Sequence, residues 1–188
     1  MVSAALLGDV PYSATYYAGI NPHLAARGLI AETSCPNANI GGVAMTDGLI
    51  HFMGIDLFAG MRLTGAGIVV MTAGVAVTLS KVGLYTKGGT LLASSADQGT
   101  AWQTIGTYTI PFTAVYVVPA TDMYYAAVIA KGGTVPGLLR TGQSMNTAGS
   151  VNSGSQPFGM QTGQTDLVTP ATIVVGSGSP VAPWIGFY

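Results

Sequence analysis

Few residues in this chain have side chains that do chemistry, and their spacing keeps them apart. There are two histidines, His23 and His51, one cysteine, Cys35, and seven carboxylates. A zinc site draws three or four Cys, His or carboxylate ligands from characteristic spacings. His23 follows Asn21-Pro22 and His51 lies in a β-rich run, neither near a Cys, Asp or Glu at such a spacing, so no metal site is expected. A serine nucleophile needs a base and an orienting carboxylate, and the G-x-S-x-G elbow does not occur. A carboxylate pair for glycoside cleavage would have to come from Glu32, Asp47, Asp56, Asp97, Asp122 and Asp166. Asp47-Gly48 and Asp97-Gln98-Gly99 read better as turns, and Asp122 as the residue that leads into a strand at Met123. Gly65-Ala66-Gly67-Ile68-Val69-Val70 starts like a dinucleotide fingerprint but lacks the third glycine and any helix to follow. Cys35 reads as a small buried thiol. The expectation is no catalytic residue, no metal and no cofactor, hence a protein that is not an enzyme.

Aromatic side chains are the remaining candidates. Trp102, Tyr108, Tyr116, Tyr124, Tyr125 and Trp184 are the types that stack on sugars, and also the types that fill cores and subunit contacts. Core or interface is the primary expectation, with Trp102 and Tyr116 the candidates for contact with a host-surface glycan. Tyr124 and Tyr125 are neighbours on an expected strand, so they must point to opposite faces.

The elements that would hold these residues follow from composition. Only 7% of the 188 residues are charged and 49% are hydrophobic. A disordered chain has the opposite balance, and no run reaches the ~18 apolar residues of a membrane helix. The residues 67–79 come nearest, but Thr72, Gly74 and Thr78 interrupt them, and they read as buried strand. The six basic residues, Arg27, Arg62, Lys81, Lys87, Lys131 and Arg140, are scattered, which argues against nucleic acid. Residues 1–9 lack the basic start of a secretion signal. Mass scaling expects a surface of roughly 8,400 Å², or about one charge per 650 Å². Interface-sized patches of ~800 Å² without charge are then unavoidable, so self-association is expected, as a homotrimer or another closed cluster.

Residues 1–42 contain Pro11, Pro22 and Pro36 and little regular pattern, and read as an extended N-terminal arm for assembly. Its apolar residues Leu6, Leu7, Tyr12, Tyr16, Tyr17, Ile20 and Leu24 are the candidate interface side chains. Residues 43–188 read as one all-β domain, an antiparallel β-sandwich of jelly-roll type. Its expected strands are 49–58, 67–79, 81–85, 91–95, 105–110, 114–118, 123–130, 173–175 and 184–188, rich in Val, Ile, Thr, Tyr and Phe. Thr86-Lys87-Gly88-Gly89 is the expected hairpin turn, residues 141–165 an expected long polar loop, and Trp184 to Tyr188 the expected last core strand.

Four stretches carry a resemblance. Val82-Gly83-Leu84-Tyr85-Thr86-Lys87-Gly88-Gly89-Thr90-Leu91-Leu92-Ala93 is similar to a hairpin recurring in virion surface proteins of tailed bacteriophages. Ile110-Pro111-Phe112, Asp122-Met123-Tyr124-Tyr125-Ala126-Ala127-Val128-Ile129 and a closing Trp184-Ile185-Gly186-Phe187 follow it, so that the resemblance spans residues 72–188. Such domains occur in head-decoration proteins, minor tail proteins and fibres of phages of actinobacteria. The resemblance implies a β-sandwich on the virion exterior, made in the host cytoplasm and contacting the major capsid protein or tail proteins. A capsid decoration subunit is the expectation. The alternative is a minor tail or fibre protein that binds a receptor or glycan.

Overall fold

The structure, a computed structural model, describes residues 24, 26–33, 42–140, 158–175 and 183–188. Twelve strands are described: β1 (Ala31–Glu32), β2 (Gly42–Ala44), β3 (Ile50–Leu57), β4 (Arg62–Thr72), β5 (Val75–Tyr85), β6 (Leu91–Ser94), β7 (Gly106–Val117), β8 (Asp122–Thr134), β9 (Gly137–Leu139), β10 (Phe158–Gln161), β11 (Val174–Val175) and β12 (Gly186–Phe187). A 3-10 turn, Gly99–Gln103, precedes β7. One sheet runs β1-β12-β4-β9-β2, with β7 also on β4, and the other runs β11-β10-β3-β8-β5-β6. Every strand pair is antiparallel. From β3 to β10 the chain crosses between sheets at almost every connection, which stacks the two sheets as a β-sandwich.

The alternation of side chains builds two cores. Inward residues Met53, Ile55, Leu57, Leu63, Ile68, Val82, Leu84, Tyr124, Ala126 and Val128 fill the space between the sheets. On the outward face of the second sheet, Ile50, Phe52, Tyr85, Tyr125, Ala127 and Ile129 form a separate cluster. Leu167, Val168, Ala171 and Ile173 cover it from outside, pinned by Lys81 Nζ to Asp166 Oδ2 at 2.7 Å. This double burial explains the unbroken apolar run in β8, which has no solvent face between Tyr124 and Ala130. Tyr124 joins the inner core and Tyr125 the outer cluster.

The expected hairpin at 86–89 forms. Thr86 N–H donates to the Thr90 carbonyl at 2.9 Å, and Gly89 N–H to the Thr86 carbonyl at 3.0 Å. Gly89 has φ +84, and a Cβ there would run into the Ala171 carbonyl of the covering segment. Gly89→Ala should therefore cost about 2–3 kcal/mol, combining left-handed strain with a backbone clash. Gly88→Ala is the control: its Cβ would meet only Thr86 Oγ1, at 3.8 Å, and the change should cost under ~0.5 kcal/mol. Denaturant midpoints of the two variants measure the difference.

Several boundaries differ from the sequence reading. The run 67–79 is two strands, β4 and β5, turned at Ala73-Gly74. Gly74 has no room for a Cβ, which would lie 2.5 Å from Val77 Cγ2, and Ala76 takes φ 51 just beyond it. The runs 105–110 and 114–118 are one strand, β7. It tolerates Pro111 because the register with β4 shifts there, between Leu63 and Gly65. Within the expected loop 141–165, Phe158–Gln161 is a strand of the second sheet, with Phe158 buried opposite Met53. The boundary at residue 42 cuts through the sandwich, because Ala31–Glu32 pairs with β12. The expected final strand is present: β12 pairs with β1 on one side and β4 on the other.

Candidate functional site

The outward face of the first sheet carries an apolar groove. Along β4 the inward positions Ala66, Ile68 and Val70 are buried in the core, which turns Gly67 and Val69 outward. On β7, Thr107 and Thr109 turn outward beside them, whereas Tyr108, paired with inward Ile68, packs its ring against the core, its hydroxyl donating to the Thr104 carbonyl at 2.7 Å. Trp184 is held beside them by its backbone N–H, which donates to the Leu139 carbonyl at 2.7 Å. Leu24 and Leu29 pack on Trp184, with Val69 and Leu139 alongside. Together with Tyr188, Arg27 and Thr107 these residues line a groove of about 540 Å³. The absence of a side chain at Gly67 keeps its floor open: the nearest atoms to a Cβ there lie 3.8 Å away.

One carboxylate organises the rim. Glu32 accepts both guanidinium arms of Arg27, at 2.7 and 2.8 Å, and also the Trp184 indole N–H at 2.9 Å. The bidentate ion pair fixes the segment that carries Leu29, while the indole bond fixes the plane of the Trp184 ring. Burial raises the Tyr188 hydroxyl above its ordinary range, so it stays protonated at neutral pH. The groove is thus an apolar surface with no unpaired charge on it, suited to an apolar segment or to stacking.

The expected site residues are distributed differently. Leu6, Leu7, Tyr12, Tyr16, Tyr17 and Ile20 lie outside the described residues. Leu24 is only 8% exposed and packs within its own domain, on Leu29 and Trp184, which corrects its reading as an interface side chain. Trp102 is a second correction. It is fully buried in the inner core, where its carbonyl accepts from Gly74 N–H, so no ring face is available to a glycan. Tyr116 is half-buried opposite Leu63, at the other end of β4 from Gly74, and the two aromatics form no common platform. The groove instead unites Trp184 and Tyr188 with Leu29 and Val69. Nothing in sequence spacing signals that convergence, because 119 residues separate Val69 from Tyr188 and strand pairing alone brings them together.

Other exposed apolar side chains lie at both ends of β4. Phe58, Val115 and Val117 are near its start, where Val117 pairs with Arg62. Met71 and Ile105 are near its end, one step beyond the Val70–Gly106 pair, with Val75 just past the turn. Among the described residues, three of the basic groups are in ion pairs: Arg27 with Glu32, Lys81 with Asp166 and Lys87 with Asp122. This pairing leaves still less free charge between the apolar patches.

A second cavity, about 440 Å³, opens between the sheets at the side bounded by β2, β9, β3 and β10. His51 points inward from β3 and lines it with Arg140, Val43, Leu49 and Met160. Burial lowers the His51 pKa from 6.5 to about 4, so the ring is neutral at pH 7. Because the folded value is depressed, the unfolded chain binds the extra proton first. Stability is therefore complete above pH ~6.5 and falls as pH drops toward 4, by up to ~3 kcal/mol. His51→Gln should flatten this loss relative to the parent chain, read as melting temperature between pH 7 and pH 4.5. Equal acid sensitivity in both proteins would refute the assignment.

Among the described residues no group of three or more His, Cys, Asp or Glu side chains is placed to hold a metal ion. No described helix is long and apolar enough to cross a membrane. The chain matches no protein-family model, no curated protein and no solved structure.

Proposed function

We propose that the chain is a non-enzymatic structural subunit of a phage virion exterior, a capsid decoration protein that associates with copies of itself and docks on the shell. The observation that carries this reading is the apolar groove, with no unpaired charge, beside the root of the N-terminal segment. Residues 1–23 bring Leu6, Leu7, Tyr12, Tyr16, Tyr17 and Ile20 with a single charge, Asp9. Extended, they reach about 75–80 Å from Leu24, far enough to enter the groove of a second copy. Exchange of arms between sandwiches would close a trimer and bury the groove that water otherwise wets. The stretches similar to phage surface sandwiches, and the scarcity of charge, support the same reading. Its free energy would come from apolar area at about 25 cal/mol per Å² and from multivalency.

Static light scattering on the purified chain tests it: a trimer or another closed oligomer is expected at micromolar concentration. A soluble, stable 19.0 kDa monomer would refute it. The convergence of Trp184 and Tyr188 favours one second reading, a minor tail or fibre module whose groove stacks on a glycan. Copy number separates the two. Many copies across the head support decoration, whereas a few at the tail tip support the glycan reading.

A further inference from the structure

The cavity between β2–β9 and β3–β10 holds a concentration of unsatisfied polar atoms. Five buried side-chain nitrogens or oxygens of the described residues have no hydrogen-bond partner: both ring nitrogens of His51, Nε of Arg140, the Tyr85 hydroxyl and the Trp102 indole nitrogen. The first three belong to residues lining this one cavity. A buried donor without a partner is costly, more so when charged, and such groups in native proteins call for an explanation such as a bound molecule. We propose that this cavity is a carboxylate-binding site, in which the Arg140 guanidinium pairs with the anion and a His51 ring N–H donates to it.

The chemistry selects a carboxylate among the alternatives. A metal cation is disfavoured by the guanidinium, and the lining has one imidazole and no carboxylate to hold it. One guanidinium and a neutral imidazole supply a single positive charge, which matches a monoanion better than a phosphate dianion. A carboxylate accepts at two oxygens, so it can pair with Arg140 and with one His51 ring N–H at once. Val43, Leu49 and Met160 on the walls suit a short alkyl stem behind the charged group. A free short-chain acid has this chemistry, and so does a glutamate side chain presented by another protein. The site does not depend on the role proposed for the outer groove.

The test uses the full chain with labelled histidine rings, titrated by nuclear magnetic resonance. Probes are butyrate, glutamate blocked at both termini, and butanol as the neutral control. Butyrate or blocked glutamate should shift the His51 ring signals saturably at millimolar concentration, the range of a single-contact fragment, while butanol does not. Arg140→Gln should weaken the effect at least tenfold, the size of a charge-assisted hydrogen bond. Arg140→Lys, which keeps the charge without Nε, should fall between. Tighter binding of butyrate identifies a free acid as the natural form, and tighter binding of blocked glutamate identifies a protein side chain. His51 signals unmoved by either carboxylate, an equal response to butanol, or Arg140 variants that bind as the parent does, would overturn the proposal.

Discussion

A chain that stops at Pro183 is expected not to fold. The five residues it loses include Ile185 and Phe187, both fully buried, and Trp184, 7% exposed. Replacing a core Phe or Trp by Ala costs about 3–5 kcal/mol and an Ile about 2–5. Even with allowance for non-additivity, the loss approaches the ~5–15 kcal/mol that holds a whole domain together. The backbone adds to this. Residues Gly186 and Phe187 lie between β1 and β4, so their removal leaves β1 without its partner. The Tyr188 carbonyl oxygen accepts Thr64 N–H at 2.7 Å, at the irregular stretch of β4. Circular dichroism of the truncated chain should show no cooperative transition. Phe187→Leu should unfold cooperatively with a loss of about 1–2 kcal/mol, since it keeps most of the apolar contact. A truncated chain that melts with the parent would mean that this strand is not part of the core.

Deleting residues 1–23 should leave the fold intact and abolish self-association. The 24–188 chain retains all of the described core side chains. Under the proposed function the groove then loses its occupant, and light scattering should show monomers where the full chain forms oligomers. Deleting residues 1–33 has a different outcome. It also removes Leu24, Leu29 and strand β1, and with Glu32 the acceptor of the Trp184 indole. That longer deletion should cost several kcal/mol, because two buried leucines alone contribute about 1.5–3 each. If the 24–188 chain assembles as tightly as the full one, the arm has no part in association.

The all-β class and the hairpin at 86–89 were legible from residue type alone. Alternation, β-branched content and paired glycines act locally, over a few residues, and need no partner to be read. The opposite facing of Tyr124 and Tyr125 was legible for the same reason, since the pleat alternates regardless of context. Composition also sufficed to expect large uncharged patches.

Tertiary pairing decided the rest. The strand Phe158–Gln161 was hidden in a polar stretch because only Phe158 and Met160 are apolar, and its stability comes from the neighbouring β3 rather than from its own residues. The role of Ala31–Glu32 was hidden because two residues have no periodicity, yet β12 binds them from the far end of the chain. Trp102 and Trp184 are the same residue type, but one is sealed in the core and the other lines a groove. That choice rests on which strand ends meet, a long-range contact that no local pattern encodes. The same holds for His51 and Arg140, which are 89 residues apart and share a cavity only because the two sheets stack.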